Sequence, residues 1–295
     1  MFRVISIAAP LFALALAAPA IAADPDWAAV AKALGKEGTV MQPGAVYRVG
    51  FPRSDLSVTL DGVAIKPGLA LGGWLAFEPT GDHAMMMGDL VLTQDEIAPV
   101  MRKLAQGGID ITAVHNHLLR SNPGTMYMHV MAMGDPVKLA TAVHDALAAS
   151  KTPFAAPAAA TPAPADLDIP ALDKLMGASG KDNGGIVQYS VPRAENITDG
   201  GVAVPPAMGS AIAINFQPLG GGKAAITGDF VLIASEVEPA MKALVDNGIE
   251  VTALHSHMVD ETPRLYFMHF WGNDDAQKLA KGLRATLDKL NLAKG

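Results

Sequence analysis

Six histidines carry the chemistry-bearing pattern of this sequence. His115 and His117 stand two apart in "ITAVHNHLLRSNPGTMYMH" (111–129), which ends on His129. One hundred and forty positions later, "VTALHSHMVDETPRLYFMH" (251–269) repeats the spacing with His255, His257 and His269. Neutral imidazole is the commonest protein ligand for Zn and also suits Cu, Fe and Ni. Three nitrogens leave one coordination position open, where a bound water can become a nucleophile. The same three nitrogens can also hold an ion without doing chemistry. The competing reading is structural, with the rings satisfying the hydrogen bonds of a buried hairpin.

Further candidates surround the histidines. Glu96 and Glu236 occupy matching positions and are the acid/base candidates; the simpler role for both is helix-dipole stabilisation in a first turn. Glu96 has capping-box spacing from Thr93, whereas Ile233 stands at the corresponding place before Glu236. Asp89 and Asp229 each follow a glycine and read as turn residues that begin a strand. His83 and His144 match Lys223 and Arg284 and read as surface residues. Methionine is abundant, fifteen in all, with Met85–Met87, Met126, Met128, Met131 and Met133 near the histidines. Thioether beside imidazole suits copper(I), and adaptable core packing explains the same residues. Only Met128 and Met268 correspond between the two stretches, and strand alternation sends that Met to the face opposite His129 and His269.

The elements that must position these residues come as two copies. Residues 88–147 align without gaps to 228–287, with 22 of 60 positions identical. Pro52-Arg53 pairs with Pro192-Arg193, and Phe77-Glu78-Pro79 with Phe216-Gln217-Pro218. A period near 140 is too long for a solenoid, so a domain has been duplicated. The Pro/Ala-rich stretch 151–165 reads as a linker. The domains are expected at 24–150 and 166–295.

Within one copy, a helix in "DPDWAAVAKALG" precedes strand-like runs at 45–51, 56–60, 70–78 and 85–92. The apolar spacing Ile97, Val100, Met101 and Leu104 marks a helix face, and Gly107-Gly108 stops it. "IDITAVHNHL" and "TMYMHVMAM" then form a hairpin. Asp135-Pro136 opens a last helix, with Asp275 as the cap in the second copy. The expected class is α+β: a tandem duplicated domain, each copy a mixed or antiparallel sheet with a strand-helix-hairpin-helix C-terminal half. On the hairpin, His115 and His117 share a face with Ile111 and Ala113. His129 shares one with Tyr127, Met131 and Met133, so three rings can converge on one ion.

Composition narrows the partners. Half of the 295 residues are hydrophobic, which excludes a disordered chain. The 29 acidic and 22 basic residues are scattered and give a net charge of −7, with no basic stripe for nucleic acid or an anionic membrane. There is no cysteine, so thiol chemistry, disulfides and lipid attachment are excluded. Residues 1–23 read as a secretory signal peptide with Ala20-Ile21-Ala22 before the cut, which predicts a periplasmic or secreted protein without a stable membrane span. No Walker A, Rossmann, G-x-S-x-G or H-E-x-x-H pattern occurs, so no organic cofactor is implied.

"VGFPRSDLSVTLDGVAIKPGLALGGWLAFEP", "MGDLVLTQDEIAPVMRKL", "ITAVHNHLLRSNP" and "MYMHVMAMGDPVKLA" resemble the bacterial LppY/LpqO family, exported proteins built on a domain of unknown function. The resemblance covers nearly all of each copy. It implies export and duplication and supplies no activity.

The leading expectation is an exported protein with a three-His site for Zn or Cu in each copy, and metal-dependent hydrolysis as its chemistry. The alternative is a non-enzymatic cell-envelope module that binds a small molecule or partner and uses its histidines structurally. The copies are expected to pack as an intrachain pseudo-dimer.

Overall fold

The computed structural model describes residues 25–41, 46–155 and 163–293. The expected leader lies outside them. The first copy runs α1 (Trp27–Leu34), β1 (Thr39–Met41), β2 (Val46–Pro52), β3 (Val58–Leu60), β4 (Val63–Ile65), α2 (Pro67–Ala70), β5 (Gly72–Thr80), β6 (His83–Thr93), α3 (Gln94–Gln106), β7 (Asp110–His115), β8 (Thr125–Gly134) and α4 (Pro136–Leu147). The second runs α5 (Ile169–Met176), β9 (Lys181–Asp182), β10 (Val187–Val191), β11 (Thr198–Asp199), β12 (Val202–Ala203), a 3-10 turn (Pro206–Met208), β13 (Ile212–Gly220), β14 (Lys223–Leu232), α6 (Ala234–Asp246), β15 (Glu250–His255), β16 (Glu261–Thr262), β17 (Tyr266–Asp275) and α7 (Ala276–Leu287). Among the described residues no helix is long and apolar enough to cross a membrane.

Each copy builds one six-stranded sheet, β1-β2-β5-β6-β8-β7 in the first and β9-β10-β13-β14-β17-β15 in the second. Every pairing is antiparallel. The fold is thus α+β in duplicate. After β6 the chain crosses through α3, lays down β7 at the sheet edge, and returns as β8 between β6 and β7. That return makes β8, with His129 at its middle, a strand paired on both sides.

Alternation along the strands gives each sheet two apolar faces. Tyr47, Val49, Phe51, Leu75, Phe77, Met86, Leu90, Leu92, Met128 and Val130 pack under α1, α3 and α4. The helices reach them through Val30, Leu34, Val100, Leu104, Ala140 and Val143, one stripe each. The helix ends follow the expected chemistry: Asp135 accepts from Val137 N and Lys138 N, and Asp275 from Lys278 N. Met128 and Met268 lie in these helix-side cores, as alternation requires.

The other face of each sheet is turned toward the other copy. Val46, Ala76, Met85 and Met87 of the first copy join the second copy's core, and Val91 and Tyr127 cluster with Ile186, Ala225 and Trp271. Polar contacts cross the same boundary. Lys66 N donates to Gln217 Oε1 at 2.9 Å and Gln217 Nε2 to Ala64 O at 2.8 Å, while Trp271 Nε1 reaches Asp61 at 3.1 Å. Arg120 is shared between Asp61 and Glu250.

Three local expectations change. A register shift between Ile111 and Ala113 breaks the alternation at Thr112, so Ile111 pairs with Val130 and packs on the helix side, away from the histidines. The same shift recurs between Val251 and Ala253. Residues 151–155, read as linker, pack on the first copy: Thr152 is buried and the Phe154 ring meets Phe51 edge-on at 6.0 Å. His144 is half-buried, with Nδ1 donating to Leu34 O at 2.9 Å; His83 is exposed.

Candidate metal centre

The register sets the three rings of each copy. His129 faces Ala113 on β7 and Asp89 on β6. His115 closes β7 opposite Tyr127. His117 lies beyond the end of β7, where Asn116 Oδ1 accepts from Leu118 N at 2.8 Å and turns the chain. The His117 ring comes to rest flat on Tyr127, centroids 3.5 Å apart, and the Tyr127 hydroxyl donates to Ala70 O at 2.8 Å. In the second copy His257 lies flat on Phe267 at 3.4 Å.

The two sets of rings then meet. His115 stacks on His255 at 3.5 Å, His117 on His269 at 3.5 Å and His129 on His257 at 3.7 Å. His115 Nε2 and His117 Nε2 are 2.8 Å apart. One cluster of six therefore stands where two separate triads were expected. Periodicity assigns a histidine to a face of its sheet; it carries no information on what that face is pressed against. Two groupings of ligand atoms lie within 4.8 Å of one another: His115, His117, His129 and His255, and His255, His257 and His269. Donors on one Zn ion are at most about 4 Å apart, so these groups close on an ion with small side-chain shifts.

Hydrogen bonding leaves nitrogen lone pairs free. His269 Nδ1 donates to Gly228 O at 2.8 Å, and the Gly88 backbone favours a proton on the His129 ring. The His269 bond fixes the tautomer that leaves Nε2 unprotonated, the arrangement that metal-ligating histidines use. Among the described residues, His115 Nδ1 and Nε2 of His129, His255, His257 and His269 are buried without a partner. Burial drives all six rings toward the neutral form: His115 is pushed down to about 3 and His255 to about 4, and the other four lie well below the ordinary value.

Two carboxylates read from sequence as turn residues lie on the histidine side of their strands: Asp89 faces His129 and Asp229 faces His269. β6 and β14 run straight through Asp89 and Asp229. Asp229 Oδ2 is 3.5 Å from His257 Nε2 and Oδ1 is 3.7 Å from His269 Nε2. Burial raises Asp89 to about 8 against the pull of Arg48, and burial together with Asp89 raises Asp229 well above the carboxylate range. The signal available in the sequence was a Gly-Asp pair at the same place in both copies, inside a strand that is otherwise apolar. Arg48 exists in the first copy alone, stacked on Trp74 at 4.0 Å; Gln188 takes its place in the second.

Glu96 and Glu236 lie outside this cluster. Glu96 accepts from Arg53 Nη1 at 2.7 Å and Nη2 at 3.2 Å, from Thr93 N at 2.8 Å and from Lys151 N at 2.7 Å. Glu236 accepts likewise from Arg193, Ile233 N and Asn291 N. The guanidinium and the backbone donors hold Glu96 below the usual carboxylate range despite its burial. A carboxylate with both oxygens occupied by four donors has no free lone pair to take a proton, so the acid/base role expected of these residues does not fit. The cap at Glu236 needs only the Ile233 backbone N–H, which is why Ile serves there as well as Thr.

No curated protein matches this chain. Among solved structures, the trimeric bacterial microcompartment shell protein PduB matches at 14% identity, covering 86% of this chain and 91% of that one, with a TM-score of 0.22. EtuB from Clostridium kluyveri matches at 9% identity, covering 86% and 90%, with a TM-score of 0.21. At these scores neither bears on the fold or the site. The family matched is described as "Domain of Unknown Function (DUF1259)", over residues 28–149 and again over 170–289, so the chain belongs to that family and carries two tandem copies of its domain.

Proposed function

We propose that this is an exported metal-binding protein that holds divalent metal between its two copies. The ligands are His115, His117 and His129 together with His255, His257 and His269. The observation that carries the reading is two groupings of imidazole nitrogens that share His255, each within 4.8 Å internally, several of them without hydrogen-bond partners. A buried polar atom left unpaired costs about 1–3 kcal/mol. Several in one place call for a common partner, and a cation takes lone pairs that no protein donor reaches. Structural histidines in an envelope-binding module, the second reading, would have those nitrogens satisfied by the protein itself.

Zinc suits the donor set better than copper(I), because imidazole dominates both ligand groupings. The copies act as an intrachain pseudo-dimer in this reading, each supplying half of the centre. Hydrolysis is the chemistry such a centre would support on water bound at an open position. Export to the periplasm or medium rests on the apolar leader with its small-residue cut and on the absence of cysteine.

Elemental analysis of protein purified without a histidine tag tests the reading. At least one equivalent of divalent metal per chain is expected, falling by more than half in His117→Ala and in His257→Ala. Wild-type protein that stays metal-free after incubation with zinc would overturn it.

A further inference from the structure

We infer that Asp89 and Asp229, one from each copy, are carboxylate ligands of this centre, giving it a mixed nitrogen–oxygen donor set suited to a divalent cation. The inference rests on the metal-binding reading above and adds donors that neither spacing nor family assigns.

Geometry comes first. Asp89 faces His129 across the β6–β8 ladder, and Asp229 faces His269 across β14–β17. Facing residues of an antiparallel pair project to the same side. Asp229 reaches two imidazoles at once, 3.5 Å from His257 and 3.7 Å from His269. Those are separations of neighbouring donors on one ion, since each donor stands about 2.0–2.2 Å from zinc. Both histidine nitrogens involved are without partners, as is Asp229 Oδ1. Asp89 is 8% exposed, and its Oδ1 is equally unpartnered.

The backbone supplies the second argument. The Gly-Asp dipeptide of the second copy does two jobs: the Gly228 carbonyl accepts from His269 Nδ1 and so fixes its tautomer, and Asp229 offers its carboxylate opposite the same histidine. Glycine is required there because a Cβ at Gly228 would come within 2.0 Å of Ala213 O, and one at Gly88 within 2.7 Å of Trp74 O. The neighbouring strand is packed too closely for any other residue.

The test compares full-length wild type with Asp89→Asn, Asp229→Asn and the double variant. Zinc affinity is measured by competition with a chromophoric chelator, and urea unfolding is followed on the metal-free proteins. Each single variant is expected to bind zinc at least tenfold more weakly and the double variant more weakly still. The metal-free unfolding midpoint should stay put or rise, because the unpartnered carboxyl oxygens are replaced by a neutral amide of the same shape. In the cobalt(II)-substituted protein, Asp229→Asn should shift the visible ligand-field bands. Zinc affinity within twofold of wild type in the double variant would overturn the inference while leaving the histidine centre standing. Loss of cooperative unfolding in the metal-free variants would make the carboxylates structural and overturn it as well. A wild type that binds no zinc would instead remove the reading on which it rests.

Discussion

His115 and His255 show what burial does to an imidazole that has no acid to salt-bridge. Their stacked rings are pushed down to about 3 and about 4, and the four deeper rings lie lower than the ordinary value as well. In an unfolded chain these histidines titrate near about 6.5. Below that pH the unfolded state takes up protons that the folded state refuses, so stability falls with falling pH. Asp89 works in the opposite sense. Its folded value is raised to about 8, so above about 4 the unfolded state loses a proton that the folded state keeps, and stability falls with rising pH. Asp229 acts the same way. Between about pH 4 and 6.5 six rings outweigh two acids; above about 6.5 only the acids remain. Metal-free protein should therefore be most stable near about pH 6.5, losing on the order of a few kcal/mol by about pH 5. Urea unfolding of chelator-treated protein across that range checks this, and a stability that keeps rising from about pH 6.5 to 8 would contradict it. The histidines themselves were legible in the sequence from type and spacing alone. Asp89 was not, because a carboxylate after glycine reads as a turn residue, and only the register places it opposite His129.

At the scale of elements, the first turns of α3 and α6 carry the other conspicuous acids, and they bind the copies' own frameworks. Arg53 is fully buried and joins Asp55, Glu96 and the Val91 carbonyl, tying the end of β2 to β6 and α3. Arg193 repeats this with Glu195, Glu236 and Val231. Breaking a buried pair by removing one partner costs about 3–5 kcal/mol, because the other charge stays behind. Glu96→Gln keeps the shape and removes the charge, so a loss of about 3 kcal/mol is expected with metal content unchanged. A variant that stays folded yet loses its metal would return Glu96 to the site. The helices, strands and caps around these knots were readable from periodicity and from Asp135 and Asp275. The bulge at Thr112 was not, because one extra residue in a strand leaves no mark on composition. It decides, however, that Ile111 faces the helices while Ala113 and His115 face the histidine cluster.

At the scale of the whole molecule, duplication was plain in the sequence and the joining of the two inner faces was not. A face carrying Met85, Met87 and Asp89 beside His115 and His129 is neither polar enough for water nor apolar enough for an ordinary core. Only the matching face of the second copy completes it. The boundary is held by the shared apolar cluster, the Gln217 and Trp271 hydrogen bonds and the Arg120 pairs. Metal, if bound as proposed, adds bonds that cross it. A protease site inserted between residues 155 and 163 separates the covalent link from these contacts. After cleavage the halves should co-elute as one species at micromolar concentration with their metal retained. Chelation should then loosen them, since an ion on His115, His117, His129 and His255 draws its ligands from both copies, and His129→Ala should loosen them without chelator. Halves that part on cleavage while each keeps metal would mean that each triad closes on an ion within its own copy, and that the stacking of His115 on His255 is contact without shared coordination.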